Sequence, residues 1–394
     1  MKIQLSDHFT YQRLLHFCLP SIVMMIFTSI YGVVDGLFVS NFVGKLPFAA
    51  INLVMPFIMI LGGFGFMIGT GGSALIPKTL GEDRHALANR YFSMLIIMTV
   101  ILGLILTTIG IVFARRVSIL LGATDVMLDD CVIYLRTVLL FISPFMLQNV
   151  FQSFLVTAQK PHAGLIVTII AGLTNMSLDV LFIVVFRWGV AGAALATGIS
   201  QCIGGLLPLI LFLGKNDSLL HLVPTRLEWS PFFLSCTNGM SELMGNISSS
   251  IVSMLYNFQL LNDAGENGIA AYGVLMYVQF IFIAVFFGYT IGVGPVIGYH
   301  YGAGNHAELK NLLRKSLKLN IITGISMTIL ANLFAGALSR IFVGYDPELY
   351  AMTKSAFHIF ALSFLVCGIN IFASAFFTAL NNGLVSAVIS FLRT

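Results

Sequence analysis

Apolar runs long enough to cross a lipid bilayer recur along this chain from residue 14 to its last residues, and they fix the solvent in which it folds. A helix needs about 20 consecutive apolar residues to span a hydrocarbon core about 30 Å thick. Ten complete runs meet that length, at residues 14–43, 48–77, 91–113, 132–158, 163–186, 191–213, 231–261, 269–299, 312–338 and 352–380, and an eleventh begins at Leu384. Lipid offers a backbone N–H or C=O no partner, so such runs are helices bonded internally rather than barrel strands. Only 9% of the residues are charged, against about 25% in a soluble domain. The expected class is an all-α integral membrane protein.

Orientation is written in the Lys and Arg of alternate connecting segments. The side that holds the N-terminal tail carries twelve, among them Lys78, Arg84, Arg90, Lys310 and Arg314, against seven on the other side, among them Arg115, Arg116 and Arg136. The N-terminus is therefore expected in the cytoplasm, with the chain multi-pass in the plasma membrane. The formal net charge of +4 reflects this asymmetry, and no basic stripe points to nucleic acid. Cys18, Cys131, Cys202, Cys236 and Cys367 lie in or beside apolar runs without CxxC spacing, which indicates neither zinc nor a disulfide framework.

The sequence also repeats itself. A shift of 221 positions aligns the two halves without a gap: Gly71 falls on Gly292, Gly81 on Gly302, His85 on His306, Asn149 on Asn370 and Thr157 on Thr378. Six runs precede a polar segment, an even number that returns the chain to its starting side, so the repeats are parallel. The expected organisation is a first lobe at 1–214, an interlobe loop at 215–230 and a second lobe at 231–394. Two such lobes place a substrate path at their interface, with rocking between them giving alternating access. A complete second lobe needs about 50 further residues by the same repeat, so the chain is expected to be a truncated form.

Three of the 16 carboxylates fall inside the runs: Asp35, Asp179 and Glu242. An ionised side chain at the bilayer centre costs about 2.5–3.5 kcal/mol and usually marks an ion or substrate pathway. Asp35 has Tyr31 one turn earlier on the same face, and Asn175 with Asp179 and Thr197 with Gln201 are polar pairs at the same spacing. Carboxylates with amide and hydroxyl oxygens suit a hard cation or a proton. The plainer readings are an Asp35 solvated at the outer helix end and an Asn175, Asp179 and Thr197 that merely bond helices together. Glu242, with Asn246 one turn on and Asn257 farther along, either attracts cationic substrates or is solvated near a helix end. Prolines 20, 56, 144, 208 and 295 fall within runs, where they are expected to bend helices.

Leu19-Pro20 and Asp35, the segment Asn175 to Asp179, and the run Gly-Val-Ala-Gly-Ala-Ala-Leu-Ala-Thr ending at Thr197 resemble the multidrug and toxic compound extrusion (MATE) transporters. The likeness covers the whole chain, including Leu80-Gly81-Glu82-Asp83 and Tyr301-Gly302-Ala303-Gly304, and is closest to the prokaryotic, DinF-like type. It implies export of cationic amphiphiles in exchange for Na⁺ or H⁺, with Asp35, Asn175, Asp179 and Thr197 holding the cation and Pro20 marking a bend in the first helix. Tyr31, Gln201 and Glu242 are candidates for the substrate cavity. No cofactor beyond the coupling ion and no obligate protein partner are expected; small molecules and the bilayer are the partners. The tenth run departs from some family members in lacking an interior acid, and against the family pattern the end of helix eleven and all of helix twelve are expected to be absent from this chain. A lipid-linked oligosaccharide flippase is the alternative, disfavoured because no Lys or Arg sits in the interior of an expected helix, those within the runs falling near their ends; Arg393 is left unplaced. No HExxH, GxSxG or phosphate-loop pattern supports an enzyme.

Overall fold

The computed structural model describes residues 3–214, 217–344 and 346–393, without the side chains at 37, 40, 45, 254, 257, 258, 261, 265, 266 and 269. Lys2, Lys215 and the side chain of Asn257 thus lie outside the described residues. Those described form helices α1 (Tyr11–Phe42), α2 (Lys45–Gly81), α3 (His85–Leu120), α4 (Leu128–Leu139), α5 (Ile142–Thr157), α6 (Pro161–Asp179), α7 (Gly189–Leu213), α8 (Trp229–Gly302), α9 (His306–Val343), α10 (Pro347–Phe360), α11 (Phe364–Ala379) and α12 (Gly383–Arg393). A π-helical turn, Val180–Val185, extends α6. Among the described residues eight helical segments are long and apolar enough to cross a membrane, and the bent pair α4–α5 makes nine. The remaining expected crossing, residues 231–261, is the start of α8.

Helix α8 is 74 residues of unbroken helical backbone, yet it folds back on itself. The rings of Tyr256 and Tyr272 stack at 5.5 Å, whereas 16 residues of straight helix would separate them by about 24 Å. Both ends of α8 also touch the same end of α2: Ser235 abuts Gly71, and Tyr299 abuts Gly81. The helix is therefore two antiparallel arms, matching the two runs read from the sequence.

Runs 132–158 and 352–380 are each interrupted as α-helix, the first with a sharp bend and the second by a 3₁₀ turn. Helices α4 and α5 meet at 56°, where Leu140 and Phe141 donate to Thr137 and Val138 in tight i→i−3 bonds. Pro144, in the first turn of α5, has no N–H to carry the α4 ladder through that point. The second half breaks at the equivalent place, in the 3₁₀ turn Ala361–Ser363, without a proline. Conversely, α-helix continues through Pro20, Pro56, Pro208 and Pro295, so these prolines do not interrupt their helices.

The halves meet through backbone contact at the end of the bundle rich in Lys and Arg. A Cβ on Gly71 would strike the Ser235 carbonyl, one on Gly239 the Met67 carbonyl, one on Gly81 the Tyr299 carbonyl and one on Gly302 the Lys78 carbonyl. On α1, Gly288 and Gly292 seat against Ser21–Ile22 and Cys18. Small residues are how helices approach this closely in lipid. The repeat pairs Gly71/Gly292 and Gly81/Gly302 are thus interface glycines in both halves.

The segment before α1 straps the first half to the second. Leu5 and Phe9 are fully buried against Val293, Val296, Ile297, Leu309 and Leu312. Glu308 accepts from the Phe9 N–H at 3.0 Å and from Asn311 at 2.8 Å, its other oxygen meets His8 Nδ1 at 2.6 Å, and Lys315 donates to the Phe9 carbonyl. Hydrogen bonds to a charged group are worth about 1.5–3 kcal/mol each. Glu308→Ala is therefore expected to free the strap and raise the rate of tryptic cleavage at Arg13 at least tenfold, read on intact protein in detergent. An unchanged rate would show that the apolar contacts alone hold it.

Candidate cation site in the first half

Five helices bring their polar side chains to one buried region. Asp35 of α1 faces Asp179 and Asn175 of α6. Tyr134, from α4, stands near Asp35, Asp179 and Thr197 of α7, and Tyr31 lies between Asp35 and Gln148 of α5. Glycines make the approach possible. A Cβ on Gly172 would lie 2.6 Å from the Phe27 ring and 3.1 Å from that of Tyr31, and one on Gly204 would lie 2.6 Å from the Gln148 amide. The π-helical turn begins directly after Asp179, and such turns concentrate at functional sites because they re-aim a side chain within a continuous helix.

The cluster is unsatisfied. Asp179 is fully buried, and Asn175, Gln148 and Gln201 are nearly so. Asp35 Oδ1, both Asp179 carboxylate oxygens, Asn175 Oδ1, Thr197 Oγ1, Gln148 Oε1 and Gln201 Oε1 have no hydrogen-bond partner. Each buried acceptor left this way costs about 1–3 kcal/mol, and two facing carboxylates cannot bond each other unless one carries a proton. Among the described residues no group of three or more His, Cys, Asp or Glu gathers as a metal site. Two carboxylates ringed by neutral oxygens instead suit a single charge of +1, either a small hard cation or a proton.

Of the other expected site residues, Gln201 lies at the margin of the cluster and the rest fall elsewhere. Gln201 lies one turn beyond Thr197, its amide oxygen unpartnered. Pro20 is 15 residues before Asp35, about 22 Å along α1, beside the Ser21–Ile22 contact with Gly288. Glu242 belongs to the first arm of α8, where Arg393 is the charged group acting on it. The reading that no basic side chain lies in a helix interior needs correction at that point. The Arg393 guanidinium of α12 reaches inward over the Phe287 ring at 5.8 Å. His85 and His306 begin α3 and α9, and His85 pairs with Asp83 at 3.2 Å.

Gln148 and Tyr134 were missed from sequence. Gln148 and Gln152 form an i, i+4 polar pair inside an apolar run, the signal that picked out Asn175 and Asp179, and applying it uniformly would have found them. Tyr134 carries no such signal; a lone tyrosine in a run reads as packing.

The MatE family profile matches residues 20–181 and 243–394. Over 379 residues the chain is 26% identical to the multidrug export protein MepA of Staphylococcus haemolyticus, covering 95% of this chain and 82% of that protein. It is 25% identical over 388 residues to MepA of Staphylococcus saprophyticus, with 97% and 84% covered. Its fold matches a MATE crystal structure in the straight conformation with a TM-score of 0.92 at 20% identity, over 98% of this chain and 86% of that one. The bent conformation matches at 0.89 and 21%, over 99% and 86%. With the profile spanning both repeats of a multi-pass helical bundle, the chain belongs to the MATE family of membrane transporters, not to an enzyme family.

Proposed function

We propose that this protein is a secondary active multidrug efflux antiporter, exporting cationic amphiphiles in exchange for inward Na⁺ or H⁺. The observation that carries the reading is the ring of unpartnered oxygens around the facing pair Asp35 and Asp179. Without a cation, two negative charges repel in a medium that cannot solvate them; one Na⁺ or proton removes that penalty and draws α1 to α6 and α7. A cationic substrate entering the same half competes for the same charge, so coupling ion and drug alternate. The related MepA proteins, named for multidrug export, support the substrate class.

Two parallel six-helix lobes rocking about their interface supply the motion. The positive-inside bias supports a cytoplasmic N-terminus, with the strap and the glycine contacts at the cytoplasmic end of the bundle. Asp35 lies 24 residues into α1, about 36 Å from its start, in the outer part of the bilayer. With the cytoplasmic end packed, the cluster takes its cation from outside. The flippase alternative calls for several basic side chains meeting pyrophosphate, whereas Arg393 reaches inward beside Glu242.

Ethidium efflux from vesicles carrying the protein, under an imposed Na⁺ gradient and separately under a pH gradient, tests this. One gradient is expected to drive efflux at least tenfold above protein-free vesicles. If neither does so for ethidium or other cationic dyes, the drug-antiporter reading falls.

A further inference from the structure

The second half carries a pair of charges that the cation site does not use. Ser390 Oγ donates to the Ser241 carbonyl at 2.9 Å and docks α12 on the first arm of α8, one residue from Glu242. Gly245, nearly one turn farther on, leaves room: a Cβ there would lie 3.3 Å from Arg393 Nη2. On the second arm, the Phe287 ring lies 5.8 Å from the guanidinium carbon. Cys367 of α11 also feels this charge. Arg393 is thus surrounded by α12, both arms of α8 and α11, with Glu242 as its opposite charge.

The equivalent first-half positions, 221 residues earlier, hold no charge: Ser21 stands for Glu242 and Gly172 for Arg393. Gly172 is the residue on which Phe27 and Tyr31 pack beside the Asp35 cluster. The first half therefore presents two acids and no tethered cation, the second half one acid and one. An arginine does not give up its proton in a protein, so its charge is permanent. A cation–π contact with a desolvated aromatic ring adds to its anchoring.

We propose that Arg393 is a resident counter-cation for Glu242, a positioning residue that keeps mobile monovalent cations out of the second half and confines ion coupling to the Asp35/Asp179 site. This rests on the antiporter reading for its consequence, not for its geometry. Removing the guanidinium should turn Glu242 into a second site for Na⁺ or a proton.

The test counts cation equivalents bound per purified protein, as radiolabelled Na⁺ plus protons taken up in weakly buffered detergent solution. Arg393→Gln is expected to bind one equivalent more than the parent, and Arg393→Lys the same number as the parent. The additional equivalent should persist in Asp35→Asn/Arg393→Gln and vanish in Glu242→Gln/Arg393→Gln. An Arg393→Gln count equal to the parent's, or an extra cation that survives loss of Glu242, overturns the proposal. Should Arg393→Gln not fold, Glu242→Gln carries the test: its count must equal the parent's, and a fall overturns the proposal. A parent that binds no cation, with Arg393→Gln binding one through Glu242, would sustain this inference while removing the coupling role of Asp35.

Discussion

Asp35→Asn is expected to abolish gradient-driven efflux, at least a hundredfold below the parent, while the protein still inserts and elutes as a single species. The substitution keeps the shape of the side chain and removes one of the two charges that face each other across α1 and α6. Asp179 then meets an amide donor instead of a second carboxylate, so the cluster holds a cation far less tightly. Two results follow together. The coupling ion no longer drives transport, and the cation loses its stabilising effect on the fold. A ligand bound only by the native state at 100 times its Kd adds about 2.7 kcal/mol. The cation-dependent rise in thermal stability expected of the parent should therefore be absent from Asp35→Asn. Wild-type efflux in the variant would remove Asp35 from the mechanism.

The second large effect is expected from a single methyl group. Gly71→Ala places a Cβ on the Ser235 backbone carbonyl. No rotamer relieves a clash made by a Cβ, so α2 and the first arm of α8 must part. Overpacking of a core costs about 1–3 kcal/mol when side chains can adjust, and here the obstacle is backbone. Efflux should fall at least tenfold. Cys18, fully buried beside Gly292 on the same interface, should become open to alkylation. Gly273→Ala is the control, because nothing lies within 4 Å of a Cβ there; it should leave both readouts unchanged. Equal behaviour of the two alanines would mean that the glycine contacts do not hold the halves together.

The helices were legible because lipid makes length and hydrophobicity nearly sufficient, and even the turn inside α8 appeared as the boundary between two runs. The breaks were not legible in the same way. Pro144 announces one, but Ala361–Ser363 breaks the second half with ordinary residues, and four other prolines sit in unbroken helix. Proline removes one donor, and packing decides whether the helix bends.

The site divided along similar lines. Asp35, Asn175, Asp179 and Thr197 were found because a polar side chain in an apolar run is costly and therefore conspicuous. Their convergence depends on Gly172 and Gly204, whose role shows only when neighbouring helices are placed. The repeat exposed Gly71, Gly81, Gly292 and Gly302 but not their partners. Hydropathy set Arg393 aside at the edge of a run. Its inward direction depends on Gly245 and Phe287, residues of another helix far away in sequence.

The most direct test of the account is whether drug and coupling ion exclude each other at the Asp35/Asp179 cluster. Purified protein loaded with radiolabelled Na⁺, or with protons in weakly buffered solution, is titrated with ethidium while released cations are counted. The account predicts release of one cation equivalent per ethidium bound, lost in Asp35→Asn. Ethidium binding that releases no cation would contradict it.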